Sequence, residues 1–299
     1  MLIPAKREFF LLTMLFGLPL LAQEELILQQ GRNGYAGCQD AHIHANKPDW
    51  NTGGEEGLEA TGNGGEADAK HLLLRFDLST LPAESRIDSA WIELYLAKRR
   101  TPQTATKTLA VYRLNRPWNE GSGDDTGGYD GRPAAGGEVC WSHAVYPDAP
   151  WSLPGAYGVP HDHNALAENE RPIDPADPAG HWYSWRVTAL TQAWLSQPDS
   201  NFGLLLREPS VSAAAGILNF ASSQFSADSL RPRLRLLLAN SSPQTIAREM
   251  TATASAGAIT VQWPCRGDAN GDGYAEIALA RAGDAQWGAR QRMDKTSNG

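Results

Sequence analysis

Cysteine is scarce: three residues, Cys38, Cys140 and Cys265, in a chain of 299. An odd number leaves at least one thiol unpaired. An oxidising compartment would permit a Cys38–Cys140 bridge, and burial as small apolar side chains is the plainer alternative. Basic charge is also in short supply. The chain has 26 Lys and Arg against 34 Asp and Glu, a formal net charge of −8, which argues against a nucleic-acid partner. Long apolar runs are missing beyond the N-terminus. There, Lys6 and Arg7 precede the run Phe9–Leu21, which Pro19 breaks, and Ala22 follows. A basic segment, a short apolar segment and a small residue make a signal peptide over residues 1–22, too short to span a bilayer comfortably. The mature chain is therefore expected to be secreted or held at the cell surface, with no membrane span of its own. Common catalytic signatures are absent too: there is no G-x-S-x-G, no H-E-x-x-H and no phosphate loop. Asp124, Asp125, Asp130, Glu138, Glu168 and Glu170 supply carboxylates, but no pair is marked out as a glycosidase would require.

Helical periodicity is nearly absent as well, and 29 Gly and 19 Pro punctuate the whole chain, which suits short strands and turns. The most regular stretch is Leu72–Leu96. Leu72, Leu74, Phe76 and Leu78 alternate with Leu73, Arg75 and Asp77. After the connection at Pro82, Ile92, Leu94 and Leu96 alternate with Trp91, Glu93 and Tyr95. A period of two marks strands with one buried face. Further strands are expected at 26–28, 40–44, 57–60, 109–114, 182–187, 202–207, 217–221 and 233–238. One helix is expected over Thr188–Ser196, with Thr188 as its N-cap. The fold class is all-β. The first domain spans 23–240, and Asn240–Gln244 reads as a linker.

Residues 116–181 have little periodicity but many Gly, Pro, Asp and aromatic residues, and a loop this long is usually functional or disordered. Its tryptophans argue against disorder. Sugar rings pack on flat aromatic faces while polar groups fix their hydroxyls. Trp50, Trp118, Trp141, Trp151, Tyr129 and Tyr157, in loops or at strand ends, are the platform candidates. Packing that pins the loop down is the plainer role for the same rings. Trp91, Trp182, Trp185 and Trp194 fall in regular elements and are assigned to packing. An acidic polysaccharide would also need converging cations, for which Arg75, Arg113, Arg116 and Lys47 are candidates. His42-x-His44 and His161-x-His163 have zinc-ligand spacing but no identifiable third ligand, so both pairs are expected to face solvent.

Several segments together resemble the DNRLRE-type secreted domain, also described as carbohydrate-binding module family 96. They are Gln39–Ile43, LLLRFDLSTLP with SAWIELYL, Val111–Arg113, Arg116–Glu120, Cys140–Trp141, Trp151 with Pro154–Ala156, Val187–Leu190 with Trp194, Asn201–Leu206 and Ser229–Leu234. The likeness covers roughly 25–239. It implies a jelly-roll β-sandwich serving as a non-catalytic module in polysaccharide-handling proteins. Arg186 stands where the family usually has an Asp before Val-Thr.

Residues 241–299 resemble the start of a fibronectin type III or immunoglobulin-like module. Strands are expected at 250–254, 258–263 and 274–281, too few to close a sandwich of about seven. Asp268, Asn270 and Asp272 alternate in DANGDG, with Glu276 beyond. That is the first half of a calcium loop, and equally a polar turn. Asp40 is a second candidate calcium ligand. Three readings stand: a polysaccharide-binding module, a structural spacer of the cell surface, and a polysaccharide-degrading enzyme.

Overall fold

The computed structural model describes residues 24–239 and the backbone of four later strands. In chain order the first domain contains β1 (Glu24–Gln29), β2 (Cys38–His44), β3 (Trp50–Asn51), β4 (Gly57–Thr61), β5 (Lys70–Phe76), β6 (Ile87–Thr101) and β7 (Lys107–Arg113). There follow β8 (Arg132–Pro133), β9 (His143–Val145), β10 (Ala149–Pro150), β11 (Asn169–Ile173), β12 (His181–Arg186), the helix α1 (Thr188–Ser196), β13 (Leu204–Arg207), β14 (Ile217–Ala221) and β15 (Arg233–Leu238). No helix among the described residues is long and apolar enough to cross a membrane.

Two antiparallel sheets form the body, an all-β sandwich. Sheet one has six strands, and its spine is β6. Along one edge β6 pairs with β15 and then β14, and on the opposite edge with β12; β1 and β4 lie outermost. Sheet two runs β11-β7-β13-β5-β2. Neighbours are mostly distant in sequence, the winding expected of a jelly roll. The two strands of the Leu72–Leu96 stretch do not pair with each other. They lie in different sheets, β5 in sheet two and β6 in sheet one, and face each other across the core.

That core takes Leu72, Leu74 and Phe76 from β5, Ile92, Leu94 and Leu96 from β6, and Leu234 and Leu236 from β15. The helix lies where expected and contributes Leu190, Trp194 and Leu195. Thr188 is not its N-cap: Val187 holds that position, and the Thr188 hydroxyl accepts the Ala90 N–H of β6 at 3.0 Å, tying helix to sheet. Cys38 lies in this core, while Cys140 lies in the long loop on the far side of sheet two; both are free thiols.

The C-terminal strands β16 (Thr251–Ser255), β17 (Ala258–Pro264), β18 (Tyr274–Arg281) and β19 (Trp287–Arg292) form a four-stranded antiparallel meander, each pairing with the next. Asp268, Asn270 and Asp272 lie outside the described residues, as do the Glu276 side chain and the linker at 240–244.

Candidate functional site

The two outer faces of the sandwich differ. On sheet two, Ala41, Ile43, Leu73, Ala110, Tyr112 and Leu205 point away from the core, and the long loop packs onto them with Leu114, Trp118, Val139, Trp141, Trp151 and Ala156. Trp118, Trp141 and Trp151 are 0%, 8% and 3% exposed, so they are not sugar platforms. They are the apolar underside of a covering layer. Their polar ends are satisfied inside it: Trp118 Nε1–H donates to the Phe202 carbonyl at 2.8 Å, and Trp151 Nε1–H to that of Cys140 at 3.0 Å. Trp141 lies against Gly155, where a Cβ would come within 2.6 Å of the indole. Tyr157 is half-buried, its hydroxyl 3.2 Å from His71 Nε2. Asp162, fully buried, holds the loop's turn by accepting the N–H groups of Ser152, Leu153 and Gly158.

Among the described residues, sheet one has no such cover. Because Ile92, Leu94 and Leu96 face the core, Trp91, Glu93 and Tyr95 face outward. By the same alternation Trp182 of β12 and Arg233 and Arg235 of β15 join them. The register sets Arg235 beside Trp91, Arg233 beside Glu93, and Trp182 beside Tyr95. The Arg235 guanidinium lies 4.1 Å over the Trp91 ring, and that of Arg233 4.1 Å over Trp182. Both arginines donate from Nε to the buried Glu93 carboxylate, at 2.9 and 2.6 Å. Arg235 Nη1 also lies 3.6 Å from the exposed Glu25 carboxylate, so the two guanidinium groups are matched by two carboxylates, while the stacking fixes both cations without using all their donors. Trp91, Tyr95 and Trp182 are half-buried, each keeping part of its surface open.

The same face continues along β6. Lys98 Nζ lies 4.4 Å over Tyr129, with Arg100 5.6 Å from that ring. Tyr129 lies flat across Gly57 of β4, where a Cβ would be 2.5 Å from the ring. Arg100 pairs with the buried Glu59 at 2.8 Å, and Lys47 pairs with Asp130 at 2.7 Å while lying 4.0 Å over Trp50. Burial raises the Asp130 carboxyl, but the hydrogen bond and charge of Lys47, with Arg100, outweigh it and hold the group below its usual range. From Trp91 to Arg100 the stripe is about 30 Å long at the rise of an extended strand. Asp130, 3.9 Å from Arg100, links the Lys47–Trp50 pair to the cations beside Tyr129. Arg75 is elsewhere, in a cleft of about 400 Å³ with Gln39, Phe76, Asp77 and Asn201. Arg113 is half-buried on β7, its charge lowering the Glu168 carboxyl that burial raises. Trp91, Tyr95, Trp182, Arg233 and Arg235 were not among the expected ligand residues. The signal for them was the alternation itself.

The expected metal ligands fare differently. Asp40 is 1% exposed; its Oδ2 accepts the Ser223 N–H at 2.7 Å, while Oδ1 has no hydrogen-bond partner. Glu120 Oε1 accepts the Asp40 N–H at 2.9 Å. Burial raises both carboxyls, and the charge of Glu120 adds to it at Asp40, which lies well above its ordinary value, while hydrogen bonds from Asp40 N–H, Gln224 and Ser223 and the charge of Arg75 oppose it at Glu120. A hard cation or a proton would relieve this pair, so Asp40 and Glu120 fit calcium in charge and donor type. His42 and His44 do not face solvent. Both are buried, and neither ring nitrogen of His44 has a hydrogen-bond partner. They lie beside the buried Lys70, whose charge disfavours a cation there. His161 is exposed and His163 buried. Of the loop acids, Glu138 pairs with Arg132 at 2.7 Å, while Asp124 and Asp125 cluster with Glu55.

A two-sheet antiparallel sandwich with one open face of stacked aromatic and cationic side chains has the form of a sugar-binding module. Residues 34–146 match the family model of carbohydrate-binding module family 96, which supports a carbohydrate-binding module with carbohydrate as its partner. No curated protein matches the chain.

Proposed function

We propose that the open face of sheet one binds an acidic polysaccharide in an exported, non-catalytic module. The observation that carries this is the Trp91–Arg235 and Trp182–Arg233 stacks around Glu93. Sugar C–H faces pack on the exposed parts of the indoles and on Tyr95. Guanidinium donors not used by Glu93 or Glu25 pair with uronate or sulfate groups, for which a planar fork is suited. Lys98 and Arg100 extend the same recognition along the chain axis. A calcium ion held by Asp40 and Glu120 would neutralise the buried pair and brace β2 against the Ser223 turn.

The test is binding of the full-length protein to neutral and acidic polysaccharides, with and without EDTA, while assaying product release in the same samples. Binding to acidic chains without turnover is expected. Trp182→Ala and Arg233→Ala should each weaken it by roughly ten-fold or more. Release of shortened chains would favour a catalytic role, and a folded protein that binds no glycan would favour a structural spacer. Loss of stability in EDTA would support the calcium.

A further inference from the structure

A second chemistry lies in the layer that covers sheet two. Cys140 lies in the turn that leads into β9, His143 three residues on is the first residue of that strand, and Asp49 comes from the segment between β2 and β3. The thiol, an imidazole nitrogen and a carboxylate oxygen of these three residues all lie within 4.8 Å of one another. Cys140 Sγ is 3.8 Å from His143 Nδ1. A tetrahedral zinc ion, with metal–sulfur and metal–nitrogen bonds of about 2.3 and 2.05 Å, sets that separation at about 3.6 Å. The pair therefore needs to close by only a few tenths of an ångström.

The surrounding main chain already holds the three ligands in place. Ser142 N–H donates to the Pro48 carbonyl and Ala134 N–H to that of Asp49, both at 2.9 Å, so the Asp49 segment is tied to the cysteine turn and to a third strand of chain. Cys140 N–H donates to the His143 carbonyl at 2.9 Å, and the Trp151 indole anchors the Cys140 carbonyl. Cys140 is buried, His143 half-buried and Asp49 exposed, so a fourth position opens to solvent.

We propose that Asp49, Cys140 and His143 form a binding site for a divalent transition metal of zinc's class. Thiolate and imidazole select a soft or borderline ion over calcium or magnesium. On binding, the Cys140 S–H bond breaks, the sulfur keeps the electron pair and donates it to the metal, and the proton passes to solvent; no electron is transferred. The metal staples the loop between β2 and β3 to the layer that carries Trp141 and Trp151. The proposal stands apart from glycan binding on sheet one, and its failure leaves that reading unchanged.

Cobalt(II) is the probe. The full-length protein is titrated under reducing conditions in a Cys38→Ser, Cys265→Ser background, so that Cys140 is the remaining thiol. A thiolate-to-cobalt charge-transfer band saturating at one equivalent, and bleached by zinc, is the expected result. His143→Ala and the exposed-site variant Asp49→Ala should each weaken binding by roughly ten-fold or more, at least the cost of losing an outer-shell partner. If the background variant is unfolded by circular dichroism, the wild-type protein is compared with Asp49→Ala and Cys140→Ser instead. No band in the folded protein, or a band whose affinity is unchanged in both His143→Ala and Asp49→Ala, overturns the site.

Discussion

His44 is buried, unpartnered through both ring nitrogens and close to the Lys70 and Lys47 ammonium groups. Burial is the largest cause of its depressed pKa, about 4, and the two lysines add to it against the opposing Asp130 and Asp68. In the unfolded chain the same imidazole titrates near 6.5. The folded state therefore favours the neutral ring. Its contribution to stability is complete above about pH 6.5 and is lost as pH falls toward the folded value of about 4. The stability advantage of the wild type over His44→Leu should thus shrink on acidification from about pH 7 to about pH 4, by a loss on the order of 3 kcal/mol. Urea unfolding of both proteins across that range gives the difference directly, and the comparison cancels carboxyls such as Glu55, raised by burial to about 7, whose linkage runs the other way. A constant difference would mean that His44 is charged or solvated in the fold. Sequence spacing found the pair His42 and His44 but placed it in water, because nothing local reveals that β2 turns these positions inward beside Lys70.

At the scale of elements, the sequence already distinguishes the two sheets. β5 and β13 contain Leu72-Leu73-Leu74 and Leu204-Leu205-Leu206, uninterrupted runs that a strand covered on both faces requires. β6 and β15 alternate instead, with Trp91, Glu93 and Tyr95 between leucines and isoleucine, and Arg233 and Arg235 between leucines, which marks an open face. The long loop between β7 and β11 has no period, so its role as a lid over sheet two was not legible; aromatic content alone fits a platform and a plug equally well. The structure makes it a plug, and that separates stability from binding. Trp118→Phe removes the indole N–H bond to Phe202 and part of a fully buried ring. It should cost on the order of 2 kcal/mol in urea unfolding. The affinity of the remaining folded protein for its glycan should not change. A matched loss of affinity at constant stability would instead place Trp118 in the binding site.

For the molecule as a whole, the formal charge of −8 opposes an acidic ligand at long range, while the stripe from Trp91 to Arg100 attracts it at contact. Which term dominates depends on distance. The Debye length is about 10 Å at ~0.1 M salt, so acidic groups on other surfaces of the sandwich are screened, while arginines within hydrogen-bond reach are screened much less. Two regimes follow. From very low to moderate ionic strength, screening of the overall repulsion should offset part of the weakening, so affinity for an acidic polysaccharide changes little. Toward high ionic strength, the contact ion pairs themselves weaken and affinity should fall steadily. Arg235→Ala leaves the Trp91 surface but removes one guanidinium from Glu93 and from Glu25. It should flatten the fall at high salt as well as weaken binding, because one fewer ion pair remains to be screened. Affinity measured across salt for the wild type and Arg235→Ala decides the matter. Curves that stay parallel, or a wild-type affinity that does not respond to high salt, would mean that the face recognises its ligand by stacking and neutral hydrogen bonds, and that the ligand carries no charge where the arginines meet it.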